Sequence, residues 1–131
     1  MTKEKRPNNV VWFELPVNDL NRATSFYESV FATKLATDAR FPELAIFPRR
    51  SDTASTGALA VAHDSKHESR PSTDGAVIYL NCDGEINAVL QRAKAAGGEL
   101  LQEVAQLPGG MGYIAQFRDL DGNRVGLHAT F

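Results

Sequence analysis

Two blocks of the chain repeat the same order of apolar and polar positions. In the first block, an apolar run over 10–17 precedes Asp19 and a stretch with apolar residues at helical spacing, which is typical of a strand that leads into a capped helix. In the second block, a run over 76–81 precedes Asp83 and another helical stretch. Three shorter apolar segments follow each helical stretch, so each block is predicted to form strand, helix, strand, strand, strand. Aligning Asp19 with Asp83 places the two blocks 64 residues apart.

The two blocks define one predicted domain over 1–131, with module one at 9–63, a linker at 64–74 and module two at 75–131. The linker has no large apolar side chain and contains a proline, as exposed connections do. Neither module could bury a face of its sheet alone, so we expect the two to pack together around a shared cavity, where a ligand would bind. After the helices, the predicted strands are 34–38, 43–48, 56–63, 99–104, 112–118 and 124–130, with a tight turn at 121–123.

The composition agrees with one folded domain and narrows the classes of function. Of the 131 residues, 43% are hydrophobic and 23% are charged, which is close to the average of globular proteins. The net charge of -2 comes from scattered side chains, and this argues against binding to nucleic acid or to a membrane surface. The sequence has a single cysteine and no apolar run of 18 residues, so we expect no disulfide, no membrane span and a cytoplasmic location.

Three segments of the sequence resemble the vicinal oxygen chelate superfamily, which includes glyoxalase I, extradiol dioxygenases and the fosfomycin and bleomycin resistance proteins. They are L-P-V-N-D-L at 15–20, Phe26-Tyr27, and R-D-L-D-G-N-R-V-G-L-H at 118–128. The resemblance covers about residues 9–130. It implies an α+β fold in which two βαβββ modules form a curved mixed sheet around a cavity. It also implies a homodimer, because members of the family often build their cavities with a partner subunit.

The resemblance also locates four positions where family members usually carry metal ligands. In this chain they are occupied by Trp12, Ala60, Ala76 and Gly126. A divalent transition metal needs nitrogen, oxygen or sulfur donors, and an indole, two methyl groups and a glycine offer none. We therefore expect that the metal site is lost and that there is no cofactor. The small residues would widen the cavity and Trp12 would line it, which favours an apolar or aromatic small molecule.

Glu14 and His128 are the candidate catalytic residues. Each lies two positions from a proposed cavity residue, Trp12 or Gly126, and side chains two apart in a strand share a face. If both faces meet in one cavity, Glu14 could act as a general base and His128 as a proton donor. The alternative is that Glu14 is partly exposed at the mouth of the cavity and that His128 caps the sheet near the C-terminus.

For several other residues, a role in binding or catalysis has a plain structural alternative. Met111 and Tyr113 belong to a Gly-rich loop near the expected cavity mouth, which is either a lid that contacts ligand or a plain hairpin connection. His63 and His67 would share one face of a helix and could bind a metal, but their polar surroundings predict a solvated loop. Cys82 has no neighbouring histidine and is predicted to be a small buried thiol.

Three functions remain open from the sequence. The first is metal-independent binding or conversion of a small organic molecule, and the second is sequestration of an antibiotic or similar molecule without chemistry. The third is a metal-dependent lyase or dioxygenase whose ligands are displaced, for example to Glu14 and His128. Turnover that Glu14→Gln or His128→Ala removes would indicate an enzyme, and binding without product would indicate sequestration. Members of one fold family differ in substrate, so the resemblance does not name the ligand.

Overall fold

Two helices and seven strands make up the part of the fold that the structure describes. The computed structural model describes residues 3–62 and 69–131. In chain order the elements are β1 (Trp12–Val17), α1 (Leu20–Phe31), β2 (Leu44–Ile46), β3 (Thr56–Val61), β4 (Ile78–Asn81), α2 (Ile86–Ala95), β5 (Glu99–Gln106), a 3₁₀ turn (Pro108–Gly110), β6 (Tyr113–Arg118) and β7 (Arg124–Ala129). Neither helix combines the length and the apolar character that crossing a bilayer requires.

The strands form two separate mixed sheets. One has the order β1-β3-β2 and the other the order β4-β7-β6-β5. In each sheet the first strand of the module pairs in parallel with the last strand, and the other pairings are antiparallel. The predicted α+β class with mixed strand pairing is confirmed, but the strands form two sheets and not a single curved one.

The predicted strand at 34–38 is wrong as a strand. Only Ala36 pairs with the sheet, through two backbone hydrogen bonds of 2.8 Å to Ile46. Two residues later the carboxylate of Asp38 accepts a hydrogen bond of 2.9 Å from the backbone N–H of Arg40. An aspartate that binds the backbone two residues ahead makes a turn, and this turn ends the pairing.

The helices begin and pack differently in the two modules. The side chain of Asp19 accepts a hydrogen bond of 3.0 Å from the backbone N–H of Arg22 and caps α1, as predicted. Asp83 does not cap α2, because its carboxylate accepts a hydrogen bond of 2.7 Å from the backbone N–H of Thr130. The predicted interval of 64 residues is also wrong. Buried residues recur after 63 residues, from Phe26 to Val89 and from Val30 to Ala93, whereas a shift of 64 would pair buried Leu15 with an exposed tyrosine.

The core lies between the two sheets, on the side of each sheet that the helices cover. The two helices pack against each other, and the ring centroids of Phe26 in α1 and Phe117 in β6 are 6.0 Å apart. Buried side chains of both modules form one cluster. The opposite side of each sheet is not covered by a helix. We call the side formed by Trp12, Glu14, Pro16, Leu44, Ile46 and Ala60 the first open face, and the side formed by Tyr79, Gln116, Arg124, Gly126 and His128 the second open face.

The turn between β6 and β7 joins module two to module one. Asp119, which is 4% exposed, accepts a hydrogen bond of 2.6 Å from the hydroxyl of Tyr27 and one of 2.9 Å from the backbone N–H of Asn123. The side chain of Asn123 in turn donates to the carbonyl of Pro16 at 2.8 Å. Burial, together with the neighbouring carboxylate, raises the pKa of Tyr27 well above its usual value, so the phenol stays protonated and keeps donating.

Candidate functional site

The candidate site is a pocket on the first open face. Its volume is about 430 Å³, which lies within the range of pockets that hold small organic molecules. Most of its wall is apolar or aromatic, and two acidic residues also line it. The lining residues are Trp12, Glu14, Pro16, Phe41, Glu43, Leu44, Ile46, Ala60, Val61, Ala62 and Ser69.

Alternation along β1 places an indole and a carboxylate side by side in this pocket. Leu15 and Val17 are buried in the core, so Trp12 and Glu14 face the other way. The indole Nε1–H of Trp12 donates a hydrogen bond of 3.1 Å to Oε2 of Glu14. This bond satisfies the only polar atom of the indole and fixes the ring relative to the carboxylate, while 38% of Trp12 remains exposed.

The second open face carries a chain of hydrogen bonds that the sequence analysis did not identify. Arg124 Nη1 donates to Oε1 of Gln116 at 2.8 Å, and Gln116 Nε2 donates to the hydroxyl of Tyr79 at 2.7 Å. The ring of Tyr79 lies over Gly126, where a Cβ atom would approach ring carbon Cδ1 to 2.5 Å. Gly126 is therefore needed for the position of this ring. Alternation along β7 places Arg124 on the same side as Gly126 and is a signal that could have found it.

His128 has a structural contact of its own. Its Nε2 lies 2.8 Å from the carbonyl oxygen of Met111, in the loop before β6. Met111 is 55% exposed, whereas Tyr113 is partly buried against the core. The imidazole therefore ties the end of β7 to the loop that the sequence analysis considered as a lid or a plain connection.

The structure brings together only part of the predicted site. Trp12, Glu14 and Ala60 line the pocket. Five other predicted residues do not line it, namely Ala76, Met111, Tyr113, Gly126 and His128. Glu14 and His128 lie on strands of different sheets, and His128 does not line the pocket that contains Glu14. The reason is that the helices, and not the open faces, meet where the modules pack.

The predicted wall position Ala76 is exposed and lies two residues before β4. An interval of 63 residues moves the counterpart of Trp12 to Gly75. Neither an alanine nor a glycine supplies a metal donor. The second module therefore has no ligand at the position that the resemblance assigns to its first strand.

The residues at the assigned metal positions do not fit a metal centre. Trp12, Ala60 and Gly126 carry no side-chain atom that ligates a divalent transition metal. Within residues 3–62 and 69–131, no group of three or more His, Cys, Asp or Glu side chains is placed to hold a metal ion. The candidate pair His63 and His67 lies outside the described residues.

Cys82 is not a candidate nucleophile. It is 1% exposed, which confirms the predicted buried thiol. Burial raises the pKa of the thiol to about 12. Because the thiolate is the reactive species, the group stays protonated and inert near neutral pH.

A second depression lies beside the end of α1, with a volume of about 540 Å³. It is wide open to solvent and lacks an aromatic side chain, and its residues are Ser25, Glu28, Ser29, Ala32, Thr33 and Lys34. Glu28 already accepts a hydrogen bond of 2.9 Å from the backbone N–H of Leu35 and pairs with Lys34. This depression offers no enclosed apolar wall, so the pocket on the first open face is the better candidate.

Solved structures with the same fold are numerous. A glyoxalase/bleomycin resistance protein from Albidiferax ferrireducens T118 is 17% identical with a TM-score of 0.72, over 93% of this chain and 98% of that one. A family enzyme from Burkholderia phytofirmans PsJN is 15% identical with a TM-score of 0.69, over 92% and 98%. A glyoxalase-related enzyme from Fulvimarina pelagi is 23% identical with a TM-score of 0.63, over 92% and 87%. Likeness at these identities shows the fold alone.

The comparison with protein families covers most of the chain. Among proteins with curated descriptions, none matches this sequence. The family model of the Glyoxalase/Bleomycin resistance protein/Dioxygenase superfamily matches residues 9–127, which include both modules and the turn at Asp119. The chain therefore belongs to the glyoxalase/bleomycin resistance protein/dioxygenase superfamily.

Proposed function

We propose that the protein binds a small organic molecule with an apolar or aromatic body in the pocket on the first open face, without a metal ion. The observation that supports this most directly is the wall of the pocket. Trp12 and Ala60 lie there at two of the positions that the resemblance assigns to metal ligands. The apolar wall also includes Phe41, Leu44 and Ile46, and the pocket has a volume of about 430 Å³. Such a wall gains free energy by removing apolar ligand surface from water.

The arrangement of ionisable groups favours binding over chemistry. Proton transfer by two side chains requires both to reach the reacting atoms. Glu14 lines the pocket, but His128 lies in the other sheet and contacts the carbonyl of Met111. The function proposed first is therefore binding or sequestration, and conversion requires a proton donor from outside this pocket.

Filling the pocket should abolish binding. Ala60 is half-buried in the wall, so Ala60→Leu adds three carbon atoms to the space that the ligand would occupy. We expect loss of binding of aromatic fragments, measured as the change in fluorescence of Trp12, which is the only tryptophan in the chain. The titration is run with EDTA present, and the wild-type response should not change when EDTA is added.

The matched control is Ala95→Leu, because Ala95 is exposed on α2, away from both open faces, and does not line the pocket. This variant should bind the fragments as the wild type does. Equal binding by Ala60→Leu, or binding that disappears with EDTA, would contradict the proposal. Mass spectrometry of the recovered fragments separates the remaining alternatives, since unchanged fragments support sequestration and a product that Glu14→Gln suppresses supports an enzyme.

We also propose that a second copy of the chain covers the open faces. Each face exposes or adjoins large apolar side chains, with Phe41 47% exposed beside the first face and Tyr79 45% exposed on the second. Met111, next to His128, is 55% exposed. Exposed apolar patches of this kind are typical of interfaces. A dimer that apposed the first face of one copy to the second face of the other would enclose the pocket.

A further inference from the structure

The carboxylate of Glu14 belongs to an exposed residue on the first open face and has few partners in the protein. In residues 3–62 and 69–131, its single hydrogen bond comes from the indole of Trp12, and it has no ion pair with Lys, Arg or His. Its neighbours in the pocket include Pro16, Ile46 and Ala60. A carboxylate accepts several hydrogen bonds, so this group keeps acceptor capacity that a ligand can use.

The basic side chains of the second open face do not supply the missing partner. Arg118 pairs with Glu99 and donates to the hydroxyl of Thr73 at 3.1 Å. Arg124 donates to Gln116 at 2.8 Å and to the carbonyl of Thr73 at 3.1 Å. Both guanidinium groups are held by residues of the linker and of their own module. A second copy that brought this face over the pocket would therefore leave Glu14 available.

Trp12 and Glu14 together favour a positive charge in the ligand. The indole N–H is taken by the carboxylate, so the exposed part of the side chain offers mainly its aromatic surface. The face of an indole attracts a cation, and the attraction grows as water is excluded. Glu43 is a further acidic residue that lines the same pocket. The indole face and the carboxylate of Glu14 thus prefer the same sign of charge.

We propose that the ligand is an organic cation, an ammonium or guanidinium group on an apolar or aromatic body, whose charge lies between the face of Trp12 and the carboxylate of Glu14. This inference rests on the proposed function, because it names the class of molecule that the same pocket takes. The apolar body contacts the wall formed by Phe41, Leu44 and Ile46. Glu14 then acts as the residue that selects for charge.

Three probes with one benzyl group test the sign of the charge: benzyltrimethylammonium, benzyl alcohol and phenylacetate. Fluorescence of Trp12 reports on the pocket directly, since no other tryptophan contributes. We expect benzyltrimethylammonium to bind at least about fivefold more tightly than benzyl alcohol, and phenylacetate to bind most weakly. Added salt should weaken binding of the cation and leave the alcohol unaffected.

Glu14→Gln should remove the preference for the cation and leave binding of benzyl alcohol unchanged. The matched control is Glu103→Gln, because Glu103 is exposed on β5 and does not line the pocket, and it should keep the preference. If the alcohol binds as tightly as the cation, or if Glu14→Gln keeps the preference, the inference about charge is overturned. The proposed binding of small organic molecules in the pocket is then still supported. If none of the three probes changes the fluorescence, both the inference and the proposed function are overturned.

Discussion

Replacing Asp119 with alanine should lower the free energy of unfolding by about 3–5 kcal/mol, because several buried donors lose their acceptor and each costs about 1–3 kcal/mol. Asp119 is 4% exposed and accepts hydrogen bonds from the hydroxyl of Tyr27, from the backbone N–H of Asn123 and from the side-chain amide of Asn123. The variant leaves these donors without an acceptor in a site that water does not reach. Urea unfolding followed by circular dichroism measures the loss.

Two further variants make this expectation specific. Asp74→Ala changes the same residue type at an exposed position and should alter stability by less than about 0.5 kcal/mol. Tyr27→Phe removes one donor and keeps the carboxylate bonded to Asn123, so it should cost about 1 kcal/mol. A cost below about 1 kcal/mol for Asp119→Ala would contradict the role of this turn in joining the two modules.

The substitution Tyr79→Glu should convert the dimer that we propose into a monomer. Tyr79 lies on the second open face, 45% exposed, with its ring over Gly126. Burying a new carboxylate without a partner costs several kcal/mol, which is enough to dissociate an interface of moderate affinity. Sedimentation velocity should give twice the monomer mass for the wild type and the monomer mass for Tyr79→Glu.

Ser29→Glu is the matched control, since Ser29 is exposed on α1 and away from both open faces. It should sediment as the wild type does. A wild-type protein that sediments as a monomer, or a Tyr79→Glu variant that keeps the dimer mass, would show that these faces do not meet between copies.

The order of elements could be predicted from the sequence because it depends on local patterns. Apolar spacing indicated both helices, and the capping role of Asp19 follows from the preference of aspartate for the first free N–H groups. The segment 34–38 failed because its apolar pattern is interrupted by Asp38, whose carboxylate turns the chain at Arg40. The predicted interval of 64 residues between the modules was wrong because it was counted from Asp83. This residue accepts a hydrogen bond from Thr130 instead of capping α2.

The site could be predicted only within one strand or between neighbouring strands. Alternation along β1 placed Trp12 and Glu14 on one side, and Ala60 joins them because it pairs with Pro16. The sequence analysis expected Glu14 and His128 to share one cavity, and the structure does not bring them together. Their relative position depends on how the two modules pack, which no local pattern determines. The chain of Tyr79, Gln116 and Arg124 depends in the same way on the register of three strands.

The network around Asp119 escaped prediction for a related reason. The segment D-L-D-G-N at 119–123 reads as a tight turn, and the structure does place a turn there. Its main partners, Tyr27 and Pro16, belong to the other module and lie about a hundred residues away in the chain. A buried carboxylate in a turn indicates a long-range hydrogen bond but does not name the donor.

The metal content per subunit is the decisive measurement for the proposed function, because that function requires the pocket on the first open face to bind its ligand without a metal ion. The protein is purified without chelators, incubated with nickel, zinc, manganese or ferrous iron, freed of unbound ions and analysed for elements. Since Trp12, Ala60, Ala76 and Gly126 carry no donor for these metals, we expect a content near zero. About one metal ion per subunit would contradict metal-independent binding and would favour a metal-dependent lyase or dioxygenase instead.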